Sequence, residues 1–114
     1  MSWCKLTAIV RRRMLEGVVK RLETLGVPGL TVIEVRGFGE YKDLYHRDWT
    51  VTHARLEIFT ERADADRFVQ AIVEVARTGE PGDGMVAILP VDDIVHIRSG
   101  GPMRRADAPS PDGV

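Results

Sequence analysis

The spacing of apolar residues switches between two periods along this 114-residue chain, and the order of the switches permits few folds. Lys5 to Val10 is short, apolar and partly β-branched, which predicts a strand ending in Arg11-Arg12-Arg13. Leu15, Val18, Leu22 and Leu25 recur at three- and four-residue steps with Glu16, Lys20, Arg21 and Glu23 between them. That is an amphipathic helix, and Gly26 is its natural stop. After Pro28-Gly29, Thr31 to Arg36 is β-branched and alternating, and Thr52 to Phe59 alternates again with Ala54, Leu56 and Ile58 on one face. Phe68, Ile72 and Val75 predict a second helix, with Asp64 and Asp66 near its positive end and Thr78-Gly79 as its stop. Met85 to Leu89 reads as a strand and, past Pro90, Ile94 to Arg98 as a further short one. Strand, helix, strand, strand, helix, strand specifies an α+β, ferredoxin-like βαββαβ domain, with two helices over one face of an antiparallel sheet. The other face, expected to carry Val32 with either Leu56 and Ile58 or Phe59, is then free to form oligomers.

This pattern fills residues 1–100 as one domain, with residues 37–51 as a loop too long for a hairpin turn. Residues 101–114, dominated by Pro, Asp, Ser, Gly and Ala, are expected to form a flexible tail. A net charge of −1 and a sequence pI near 6.3 give no field for nucleic acid or an anionic membrane. Cys4 is the single cysteine, so neither an internal disulfide nor a multi-cysteine zinc site can form within one chain. With no charged leader and no apolar run near ~18 residues, the expectation is a cytoplasmic protein with no membrane insertion.

Three blocks carry more information than the pattern. They are Gly29-Leu-Thr-Val-Ile-Glu-Val-Arg-Gly-Phe-Gly39, Arg77-Thr-Gly-Glu-Pro-Gly-Asp-Gly84, and His96-Ile-Arg98-Ser-Gly. Alone, Gly82-Asp83-Gly84 is a tight turn entering a strand; equally, glycines at 79, 82 and 84 let successive N–H groups face one anion. In this order and spacing the blocks resemble the PII signal-transduction family, from about Lys5 to Gly100. The resemblance implies a homotrimeric regulatory protein, not an enzyme, that binds adenine nucleotide in clefts between subunits and contacts a target protein through the loop at 37–51, called the T-loop. Thr31 and the Gly37-Phe38-Gly39 corner, followed by Glu40 and Tyr41, would line the adenine and the loop base, with Phe59 in place of a small apolar contact. Gly82, Asp83 and Gly84, followed by Met85, would form the phosphate loop, and His96 and Arg98 would face the phosphates from the last strand.

The departures are informative too. The family carries Arg-Gln where this chain has Glu40-Tyr41, lysine where it has Met85, and a further arginine where it has His96. Fewer cations weaken binding of a triphosphate most, so ADP or AMP is the expected ligand and ATP is held less tightly. Gly-Phe-Gly-Glu-Tyr with Arg47-Asp-Trp and Val51-Thr-His-Ala-Arg55 is similar to the carboxysome-associated PII-like subgroup. That similarity implies bicarbonate as a second ligand, near Lys42, Arg47 and His53, and a membrane transporter as target, the alternative within the family being a nitrogen-regulatory PII protein.

Two other classes compete. Catalysis would need a paired base, but His53 and Glu57 on one strand face lie about 13 Å apart, and no Gly-x-Ser-x-Gly turn exists. A trimeric metal-binding protein of the CutA type would need ligands from Cys4, His46, His53 and His96, which lack ligand spacing within one chain. Trp49 reads as a partner-facing anchor or as packing for the loop base, and Arg11-Arg12-Arg13 as a solvated turn or as a reach toward a neighbour's ligand.

Overall fold

The computed structural model describes residues 2–38 and 51–104. Strand β1 (Trp3–Arg11) leads through one 3-10 turn (Arg12–Met14) into helix α1 (Leu15–Thr24) and strand β2 (Thr31–Gly37). Strand β3 (Val51–Glu61), helix α2 (Arg62–Ala76) and strand β4 (Gly84–Val91) follow. The sheet order is β2-β3-β1-β4 with every neighbouring pair antiparallel, so each helix crosses over a strand that belongs to the other half. This is the expected ferredoxin-like α+β arrangement.

Alternation along the central strands separates the two faces. Cys4, Leu6, Ala8 and Val10 of β1 and Ala54, Leu56, Ile58 and Thr60 of β3 are buried, and between them project Lys5, Thr7 and Ile9, or His53, Arg55 and Glu57. The buried set meets Val18 and Leu22 of α1 and Ala65, Phe68, Ala71, Ile72 and Ala76 of α2, forming a single core on the helix side. Periodic apolar stripes build this layer because each element has only one such stripe to hide. The α1 helix stops where Gly26 turns left-handed and Val27 N–H returns to the Leu22 carbonyl at 3.1 Å.

Three expectations change. Val32 pairs with Leu56 and therefore belongs to the helix side. It stays exposed because β2 is an edge strand whose extensive packing is against β3 alone. The open face instead carries Ile33, Phe59, Met85 and Leu89. Next, β4 runs through Pro90, which an edge strand tolerates because, among the described residues, no strand lies on its outer side to receive an N–H. Finally, Ile94 to Arg98 is not a strand. A single bridge joins Val95 to Pro102, and the segment folds into a turn held by His96 N–H to Gly101 O and Gly100 N–H to His96 O, both 2.8 Å. Ser99-Gly100-Gly101 supplies the turn chemistry, and Met103 N–H to Ile94 O at 2.7 Å closes the turn. His96 and Arg98 consequently do not share a strand face.

Candidate functional site

At one end of the open face the sheet and two loops enclose a cleft of about 530 Å³. Ile9 of β1, His53 and Arg55 of β3 and Met85 of β4 form its floor, with Val35, Gly37 and Phe38 at the end of β2 and Gly82 and Gly84 closing the other side. The register explains the assembly. Val35, His53 and Arg11 stand opposite one another across β2, β3 and β1, and Ile33, Arg55, Ile9 and Met85 form the next row. Residues far apart in the chain meet here because β2 ends, and β3 and β4 begin, on the same edge of the sheet.

The glycine loop is itself held by a buttress. Arg11 donates from Nη2 to the Pro81 carbonyl at 2.6 Å and from Nη1 to Thr78 Oγ1 at 3.1 Å, and its guanidinium also bonds the Asp83 carboxylate. The Thr78 hydroxyl donates to Asp83 Oδ1, and the N–H groups of Thr78 and Gly79 reach Asp83 Oδ2 at 2.9 Å each. The first half of the loop therefore already encloses an anion, the chain's own Asp83. His53 adds a second tie, with Nε2 3.2 Å from the Gly82 carbonyl and Nδ1 3.4 Å from that of Val51. That ring connects the start of β3, where the loop at 37–51 returns, to the glycine loop.

The hydrogen bond from the Thr78 side chain holds the Asp83 carboxyl well below the ordinary carboxylate range; desolvation opposes it, and the backbone N–H groups of Thr78 and Gly79 and the Arg11 guanidinium add to the lowering. A depressed native value stabilises the fold above the unfolded aspartate value of about 4, and this contribution disappears as pH falls below it. Urea unfolding followed from pH 7 down to pH 2 is expected to reveal an acid-sensitive component in the native protein that Asp83→Asn lacks.

Of the residues singled out in the sequence, Gly37, Phe38, His53, Gly82, Gly84 and Met85 are brought together in this cleft. Thr31 and Phe59 are not. They sit toward the opposite end of the sheet, Thr31 opposite Glu57 and Phe59 opposite Lys5, whose Nζ lies 5.9 Å from the ring centroid. Phe59 is six positions from His53 along β3, about 20 Å. His96 and Arg98 belong to the turn after β4, with His96 Nδ1 3.2 Å from Ser99 Oγ. Gly39, Glu40, Tyr41, Lys42 and Arg47 lie outside the described residues. Ile9, Val35, Arg36 and Arg55 line the cleft without having been selected, although Arg55 lies two positions from His53 and so on the same strand face.

Comparison with known proteins gives a consistent result. The family model described as nitrogen regulatory protein P-II matches residues 3–101. Nitrogen regulatory protein P-II 1 of Methanothermobacter thermautotrophicus is 40% identical, the match covering 84% of this chain and 90% of that protein. Nitrogen regulatory protein P-II of Synechocystis is 41% identical over 84% of this chain and 92% of that protein. The crystal structure of Arabidopsis thaliana PII bound to citrate superposes with a TM-score of 0.78 and 34% identity, covering 93% of this chain and 90% of that one.

Proposed function

Because this chain belongs to the nitrogen regulatory protein P-II family of signalling proteins, we propose that it is a non-catalytic homotrimeric sensor of adenine nucleotide. In this reading ADP or AMP binds in preference to ATP at clefts between subunits, and occupancy is relayed to a target protein through the loop at 37–51. The observation that carries it is the meeting of Gly37-Phe38 with Gly82, Gly84 and Met85 around one cleft, since these come from two of the blocks on which the resemblance rests. Thr31 and Phe59, at the other end of the sheet, enter the site from a neighbouring protomer, and His96 and Arg98 enter from the turn after β4. The exposed Ile33, Phe59 and Leu89 give the open face the apolar surface that such an assembly covers.

The preference for fewer phosphates follows from the cleft's lining. Met85 stands where a lysine would reach a terminal phosphate, and part of the glycine loop's N–H capacity is taken by Asp83. Bicarbonate is the proposed second effector and a membrane transporter the proposed target, in the cytoplasm. Among the described residues no helix is long and apolar enough to cross a membrane, and no three His, Cys, Asp or Glu side chains gather at one point.

Sizing followed by calorimetric titration with AMP, ADP and ATP, with and without bicarbonate, tests the proposal. The expected result is a trimer that takes up one nucleotide per subunit, binds ADP or AMP at least about tenfold more tightly than ATP, and binds more tightly still with bicarbonate. A folded trimer that binds no adenine nucleotide would refute it.

A further inference from the structure

The positively charged groups around the cleft are not equivalent. Arg36 pairs in register with Thr52 and so starts from the helix side of the sheet, and His53 has both ring nitrogens against carbonyl oxygens. Arg55 rises from the open face, between Ile33 and Ile9, in the row that ends at Met85. Its Nε lies 3.3 Å from Glu57 Oε1, and Lys5 Nζ lies 3.3 Å from that same oxygen. Two cations therefore share one carboxylate, and of these three groups only Arg55 lines the cleft. Among the described residues no carboxylate lines the cleft to balance it. Arg55 Nε is also shut off from solvent and makes no aligned hydrogen bond, so its ion contact with Glu57 leaves its donor capacity unfilled.

We infer that Arg55 anchors the anionic end of the bound nucleotide, through a charge carried on β3 in the same row where β4 presents the apolar Met85. This assignment rests on the nucleotide reading above. A guanidinium meets phosphate oxygens through two parallel N–H donors, and at the floor of a half-enclosed cleft it is screened less than a cation on the rim. At the floor it adds a fixed positive charge to those that His96 and Arg98 bring from the turn after β4. Loss of Arg55 leaves Glu57 paired with Lys5, so the sheet keeps a balanced ion pair and the fold does not depend on the anchor.

The test is titration of the full chain with ADP and with adenosine, in the native protein and in Arg55→Gln and Arg55→Lys. Arg55→Gln is expected to bind ADP about 10- to 100-fold more weakly and adenosine within about twofold of the native protein, with Arg55→Lys between. On the native protein, bound ADP, but not adenosine, is expected to shield Arg55 from labelling by phenylglyoxal, read by peptide mass. ADP affinity unchanged in Arg55→Gln, or lost in parallel with adenosine affinity, overturns the Arg55 assignment and leaves the nucleotide reading standing. Labelling of Arg55 that ADP does not slow has the same meaning. A native protein that binds no adenine nucleotide overturns that reading, and the assignment with it.

Discussion

Gly84→Ala is expected to destabilise the protein by about 3 to 5 kcal/mol and to abolish nucleotide binding in the fraction that folds. Gly84 opens β4 with φ at 100°, where an L side chain is strained, and a Cβ placed on it would stand 1.7 Å from the Ile9 carbonyl oxygen and 2.8 Å from its carbonyl carbon. Both obstacles are backbone, so no rotamer relieves them. Accommodation requires β4 to move away from β1 at the place where the glycine loop enters the cleft. Gly79→Ala is the control, because φ is 88° there but the added Cβ meets nothing within 4 Å. It is expected to cost about 1 kcal/mol, the conformational part alone. Urea midpoints for the two variants, converted with a common slope, measure the difference.

Phe68→Ala is expected to cost about as much in stability while leaving the site intact in molecules that remain folded. Phe68 is 1% exposed, at the centre of the layer between α2 and the sheet, and truncation leaves a cavity lined by residues already fixed by their own packing. A loss of about 3 to 5 kcal/mol would consume much of the stability of a domain this size. Under conditions where the variant stays folded, its nucleotide affinity is expected to match that of the native protein, because the cleft lies on the opposite face of the sheet. Gly84→Ala links the two properties and Phe68→Ala separates them. A titration of both by calorimetry distinguishes a defect of the site from a defect of the core.

The core was legible because it obeys periodicity. Leu56 and Ile58 announce their face by alternation, and Val18, Leu22, Phe68 and Ile72 announce theirs by helical steps. Val32 was misassigned because alternation fixes which residues share a face but not which face the helices cover; only pairing with Leu56 decides that. The strand expected over Ile94 to Arg98 failed for a related reason. Its apolar residues suit a strand, but the adjacent Ser99-Gly100-Gly101 closes a turn first, leaving Ile97 95% exposed. Gly37, Phe38, Gly82 and Gly84 of the cleft could be read from the sequence, since glycine and loop signals are local. Arg55 and the buttress from Arg11 to Asp83 could not, because Asp83 and Arg11 are 72 positions apart and meet only through strand register.

Pro90 has a further consequence, for how the molecule behaves in a crowded solution. Among the described residues neither outer strand has a strand on its far side, and β4 lies beside the exposed Ile88 and Leu89, a combination that invites strands of other copies to add on. A proline offers an incoming strand no N–H and so interrupts the ladder where the apolar content is greatest. The opposite edge, β2, relies on charge instead, with Glu34 and Arg36 along it. The two rims are guarded against templated aggregation by different chemistries, and the floor between them stays available for binding.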